Sequence, residues 1–415
     1  MSSLGLIKSP GFQNQGFFHY NKPRIGCIGV ENMRSLWLLF FLIIPVYMIS
    51  QMPSIPGFPT IPGIPTIPGQ IPQQFPQQLP QQQLPQQLPQ QGPLPQPQVG
   101  LPGPLNLPAI SGNFKPPDWL KRGLVVYYRI SGSSKLGNRA SAFSGINVFI
   151  VWEVSNNKIV GDWISLLSDS MLVQSGLKEL SRSSDSIFHV NPNYAEALLR
   201  STGNLRSSGV TIQGGPGNIY IKMTGQKGYQ NIYIKYDLKT GIILSLQQVT
   251  PDSSIFMEYA GYEYVNLPPP SNTFPPAVQG GTHNWVLSTS YMGMEMQFGE
   301  LTISQGCVQG RIAHFRGKYD LYTTQGVQNQ QFIGVPDIGP HYVNPSLLND
   351  DVIFDLKQMG LRLVVVGRDY NDVTLELQYR MMPLIRSVVD PRTGLITYME
   401  QFVSNMGSIK SYLEM

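Results

Sequence analysis

Charge is scarce in this chain. Charged residues make up 13% of its 415 residues, about half the roughly 25% common in soluble proteins. The formal net charge is +4, yet Lys8, Lys22, Arg24 and Arg34 against Glu31 place +3 of it ahead of residue 36. The rest is close to neutral and lacks the basic stripe that phosphate contacts require, so nucleic acid is not expected as a partner. Cysteine is nearly missing too, with Cys27 and Cys307 the two in the chain. No disulfide framework and no paired-cysteine metal site can be built from them. Cys307 reads as a small apolar core residue. HExxH and GxSxG are both absent. Gly214-Gly215-Pro216-Gly217 is a turn rather than a phosphate cradle, because proline removes an amide and no GK[ST] comes after it.

Charge is missing altogether between Ser35 and Phe114. That stretch opens with an apolar run, Leu36–Ile49, preceded by Arg34. A cationic start and a short apolar core describe an export signal. The run is shorter than the ~20 residues that span a bilayer comfortably. Residues 33–51 are therefore expected to act as a signal peptide or, if uncleaved, as a membrane anchor with the N-terminus inside. Residues 1–32 read as an extension ahead of Met33. Residues 52–117 are low in complexity: Pro-Gly units first, then Pro-Gln-Gln units such as Pro76-Gln77-Gln78 and Pro89-Gln90-Gln91. Proline fixes φ and removes donors, leaving polyproline II and coil. This tract is expected to be a disordered spacer.

Beyond the spacer lie two β-rich segments, 118–265 and 282–415, joined by a Pro/Gly linker at 266–281. Compared with one another they match at a constant spacing. Val343-Asn344-Pro345 lies 153 positions after Val190-Asn191-Pro192, and Asp390, Thr393 and Gly394 lie the same distance after Asp237, Thr240 and Gly241. Such self-similarity indicates two tandem copies of one module. In Asn-Pro, asparagine caps a helix and proline takes its first position. Short helices are expected at 193–201 and 346–357, with a third at 170–182. In Asp-x-x-Thr-Gly, aspartate bonds its own turn and glycine supplies a positive φ. Alternating runs such as Ile232, Ile234, Tyr236 and Val373, Leu375, Leu377, Tyr379 predict half-buried strands. The fold class expected is α+β, mainly antiparallel β.

The chemistry-bearing residues do not obey the repeat. None of the five histidines pairs with another at 153, and the charges that recur, Asp237/Asp390 and Lys239/Arg392, lie in turns. Scaffold is shared, not acids and bases. Asp350, Asp351 and Asp355 form a weak candidate calcium cluster, lacking the glycine and alternating ligands of an EF-hand loop. A solvated helix start explains them better. No catalytic residue and no cofactor is assigned. Trp119, Tyr127, Tyr128, Trp152 and Trp163 are expected in the core, with a ligand groove as the alternative. The sequence thus points to an exported, non-enzymatic binding or scaffold protein that is periplasmic, cell-surface or secreted. Its partner would be an envelope protein, a glycan or an apolar ligand. Two alternatives stay open. One is a carrier with an apolar cavity under a curved sheet. The other is an extracytoplasmic enzyme with one site at the junction of the modules, drawn from His314, His341, Asp350, Asp351, Asp355 and Glu376.

Overall fold

A computed structural model describes residues 107, 110, 112, 114 and 117–414, apart from 137–138, 156–157, 169–171, 182–187, 202–208, 226–227, 279–280, 292, 323–326 and 405–406. The extension, the apolar run and all but the end of the spacer lie outside the described residues. The described residues belong to one compact unit. The chain there is mostly antiparallel β with few helices, arranged as two large sheets.

The first sheet contains β1 (Leu124–Leu136), β2 (Arg139–Val154), β3 (Lys158–Leu167), β4 (Leu172–Gln174), β5 (Leu177–Ser181), β6 (Val210–Gly215), β7 (Asn218–Gly225), β8 (Gly228–Tyr236), β9 (Ile243–Val249) and β10 (Ser253–Tyr264). Its order is β4-β3-β2-β1-β10-β9-β8-β7-β6, with β5 also on β3. The second contains β11 (Thr282–Tyr291), β12 (Met294–Gln309), β13 (Ile312–Leu321), β14 (Val327–Gly334), β17 (Val352–Leu356), β18 (Leu361–Arg368), β19 (Val373–Tyr379), β20 (Met382–Val389), β21 (Ile396–Ser404) and β22 (Gly407–Leu413). It runs β14-β13-β12-β11-β22-β21-β20-β19-β18-β17. A small ladder pairs β15 (Ile338–Gly339) with β16 (Tyr342–Val343). In each large sheet the first and last strands meet in the middle.

The period-2 pattern sets which face is buried. On β1, Leu124, Val126, Tyr128 and Ile130 point into one core, joined by Ile232 and Ile234 of β8. Phe188, Val190, Tyr194 and Leu198 from the connection between β5 and β6 fill that interior. The alternate residues Val125, Tyr127, Ile150, Trp152 and Ile164 join a second core with Phe354, Leu361, Leu375 and Leu377. The middle strands of the first sheet are therefore covered on both faces. Trp285, Leu287, Leu301, Ile303 and Phe315 form a third core in the second sheet. Tyr127, Tyr128, Trp152 and Trp163 are core, whereas Trp119 is only partly buried and donates its indole N–H to the Thr240 carbonyl at 3.1 Å.

Helix α1 (Pro192–Arg200) starts where Asn191 accepts from the amides of Asn193 and Tyr194 at 3.0 and 3.4 Å. Asn344 likewise accepts from the Ser346 amide at 3.1 Å. There the predicted helix 346–357 gives way to a 3-10 turn, Pro345–Asn349, and then to β17. The competing principle is β-branching. Val352 and Ile353 favour a strand, and β17 closes the edge of β18 through Val352↔Val364 and Leu356↔Leu361. The predicted helix at 170–182 is also replaced, by β4 and β5, which pair with β3. Edge pairing outweighs helix propensity there, and Gly176 turns the chain between them at φ +143°. Cys307 is half-buried on β12 rather than a fully buried core residue, and Cys27 lies outside the described residues.

The spacing of 153 reappears in backbone hydrogen bonds. Isolated bridges join His189 with Ile242 and Tyr342 with Leu395. The amides of Val190 and Val343 donate to the carbonyls of Gly241 and Gly394 at 2.8 and 2.9 Å. Asp237 accepts from the Thr240 amide and hydroxyl at 2.7 and 2.6 Å, and Asp390 from the Thr393 hydroxyl at 3.0 Å. Gly241 and Gly394 have φ +76° and +79°. The Thr240 bonds hold the Asp237 carboxyl below its usual range. Partial burial would raise Asp390, but bonds from Arg392 and Thr393 hold it down as well.

Candidate functional site

An open groove of about 510 Å³ lies where the two sheets meet. Its floor is the outward face of the first sheet. Arg129 of β1 sits opposite Glu258 of β10, Ser131 opposite Phe256, and on the other side Ser131 opposite Ser144 of β2. Ile146 and Leu166 continue the floor onto β3. The Ser168 hydroxyl donates to the Ser144 carbonyl at 2.7 Å and bonds the Ser144 hydroxyl as well. The wall is the hairpin between β19 and β20, which contributes Tyr379 and Arg380.

That hairpin is strained. Its two central residues, Arg380 and Met381, take φ +49° and +70°, the two-residue turn that normally selects Asn-Gly. A left-handed conformation costs a side-chain-bearing residue about 1–2 kcal/mol. The Arg380 amide donates to the Gly360 carbonyl at 2.6 Å, its guanidinium lies 5.0 Å from the Tyr379 ring, and Met381 is exposed. Strain of this kind persists where neighbours enforce it and is enriched at functional sites.

Away from the groove lining, an ion pair ties the start of the first sheet to the connecting segment. Arg122, just ahead of β1, donates to Asp337 at 2.9 Å, to the Trp152 carbonyl at 2.6 Å and to the Pro268 carbonyl at 2.9 Å. Asp337 is fully buried and also accepts from the Ser271 amide at 2.8 Å. First sheet, connecting segment and second sheet therefore meet at one carboxylate. Arg311 and Glu153 add a second tie at 2.9 Å.

The residues considered for a single active centre do not converge. Glu376 belongs to a cross-strand network on β18–β20: Arg386 donates to it at 2.7 and 2.9 Å, Gln378 at 2.6 Å, and Arg362 in turn bonds Gln378. Opposite charges facing across strands stabilise the pairing, and here they satisfy the buried Glu376 carboxylate. His314 lies 3.6 Å from Glu179 of β5, which also pairs with Lys158. Asp350 and Asp351 are exposed, with Asp351 bonded to Arg368 at 2.6 Å, while Asp355 is half-buried and near enough to Glu263 to raise its carboxyl further after burial. Among the described residues no group of three or more His, Cys, Asp or Glu is placed to hold a metal.

His341 is the unusual one. It takes the place of Phe188 in the 153 spacing, has φ +59°, and packs 4.4 Å from the Trp285 ring with its Nε2 buried and unpaired. Burial lowers its pKa to about 4, from the usual ~6.5. The folded state thus binds the proton less well than the unfolded chain. Its contribution is fully present above ~6.5 and is lost as pH falls toward 4, by about 2 kcal/mol between pH 7 and 4.5. Asp162 acts in the opposite sense, because burial raises it to about 6 against the pull of the Gly176 amide. The readout is therefore a difference. Urea unfolding of His341→Asn, which tolerates the left-handed backbone, should lose about 2 kcal/mol less than the parent protein between pH 7 and 4.5. Equal losses in both proteins would remove His341 from the acid response.

Sequence patterns did not disclose the groove. Its floor comes from strands far apart in the chain, and Arg380-Met381 has no turn signature. Comparisons with known proteins add no family: no family model and no curated protein matches the chain. Among solved structures it is similar to a protein of unknown function of the DUF3598 family from Nostoc punctiforme, at 10% identity over 69% of this chain and 94% of that one, TM-score 0.14. A transferrin binding protein B variant from Haemophilus parasuis is similar at 6% identity over 70% of this chain and 76% of that one, TM-score 0.09. At such scores neither likeness bears on function.

Proposed function

We propose that this chain is an exported, non-enzymatic binding or scaffold protein, made of two copies of one module carried on a Pro/Gln-rich spacer. The observation that carries the binding role is the groove between the sheets, walled by a strained hairpin. Support for two copies comes from shared strand order and from the bridges, caps and turns that recur at one spacing. The Pro/Gly stretch 266–281 is the linker between them. Export rests on the Leu36–Ile49 run and the uncharged spacer behind it.

The carrier reading is less favoured, since the interior of the first sheet is occupied by Phe188, Val190, Tyr194 and Leu198. The enzyme reading loses support because its candidates are scattered. A fusion of residues 1–51 to a reporter that becomes active only after crossing a membrane tests the export half. Activity is expected; a reporter confined to the cytoplasm overturns it.

A further inference from the structure

The outward face of the first sheet continues beyond the groove as a single transverse row. Gln213 faces Tyr220, Tyr220 faces Tyr233, Tyr233 faces Gln247, Gln247 faces Phe256, and Phe256 faces Ser131 at the groove floor. Adjacent strands lie about 4.8 Å apart, so these six positions span about 24 Å, with Tyr233 and Phe256 about 10 Å apart. The inward neighbours Ile212, Ile221, Ile232, Leu246 and Ile255 carry the core. Core packing therefore makes no demand on the outward row.

The row's composition is selective. Tyr233 and Phe256 are 46% and 41% exposed, an unfavourable use of aromatic surface in a face without a partner. Tyr233 is held by stacking on Tyr220 at 4.4 Å, and the Tyr220 hydroxyl donates to Asn231 at 2.8 Å. The exposed side-chain amides of Gln213 and Gln247 make no hydrogen bond within the described residues. No charge stands at the six positions themselves; Lys222 and Lys235, and at the groove end Arg129 and Glu258, flank them on the same face. Rigid ring faces alternating with amides and a hydroxyl, in a straight uncharged line, match a ligand that offers C–H faces and hydroxyl groups in repetition. The cations stand beside the line, with Glu258 opposite Arg129, so none of them lies under a ligand that follows the rings, and an apolar ligand would strand the glutamine amides.

We infer that this row binds a neutral polysaccharide chain, laid across the strands from β6 toward the groove. The inference rests on the binding role proposed above and names its ligand class. Rings would stack on the sugar C–H faces, while Gln213, Gln247 and Ser131 would bond hydroxyls. The test is affinity gel electrophoresis of the full chain in gels holding mixed-linkage β-glucan, hydroxyethylcellulose, mannan or dextran, with polygalacturonate as the acidic comparison. Retardation by at least one neutral glycan is expected, insensitive to salt. Tyr233→Ala with Phe256→Ala should weaken it about tenfold or more, a factor worth ~1.4 kcal/mol, with the thermal unfolding midpoint unchanged. Gln213→Ala with Gln247→Ala supplies a second variant should the aromatic one unfold. Retardation by none of the neutral glycans, retardation unaffected by both variants, or retardation confined to polygalacturonate and abolished by salt would each overturn the inference. Export of the reporter fusion is read separately, so either result can fail alone.

Discussion

Gly241→Ala is expected to destabilise the protein by about 2–5 kcal/mol, with Gly394→Ala close behind. Both residues have positive φ, +76° and +79°. A Cβ at Gly241 would lie 2.4 Å from the Val190 carbonyl oxygen and 2.7 Å from His189 Nε2; at Gly394 it would lie 2.6 Å from the Val343 carbonyl oxygen. The left-handed conformation alone costs about 1–2 kcal/mol, and shifting backbone in a packed site adds about 1–3 kcal/mol. The same carbonyls belong to residues whose amides bond Gly241 and Gly394, so relief of the clash breaks the bridge. Gly215→Ala is the control, because a Cβ there meets nothing within 4 Å. Urea unfolding should separate the control from both variants. A loss below about 1 kcal/mol at Gly241 would show that the turn relaxes freely. Comparable losses at both glycines are what the proposed duplication requires.

Asp337→Ala should cost about 3 kcal/mol, at the low end for breaking a buried ion pair because the Arg122 side chain keeps some contact with water. Asp337 has 0% side-chain exposure against 20% for Arg122. Truncation leaves the guanidinium without its counter-charge and strands the Ser271 amide. A thermal midpoint lower by roughly 5 °C or more is expected, given a chain of this size. Limited proteolysis should open the connecting segment 266–281 first, because Pro268 and Ser271 are held through this pair. An unchanged midpoint together with unchanged cleavage would mean that the apolar contacts of β1–β3 with β17–β19 suffice to hold the sheets.

The sequence by itself determined the elements whose causes are local. Alternation dictated strands such as β8 and β19, because a period of two on a half-buried surface has few other solutions. Asn191-Pro192 and Asn344-Pro345 marked the starts of two short turns of helix, since a cap and a proline act on their own backbone. Asp237 to Gly241 and Asp390 to Gly394 marked two tight loops for the same reason. The path of the chain beyond a cap has no local cause, and there the tertiary structure decided. After Asn191 the chain continues as helix into the first core; after Asn344 it turns into β17 to cover an exposed edge. Residues 172–181 became strands because β3 offered an open edge. The groove, the Arg122–Asp337 pair and the row from Gln213 to Ser131 belong to the same class. Each joins residues brought together by strand order alone, and strand order is set by how two sheets share apolar faces, a property that no window of sequence carries.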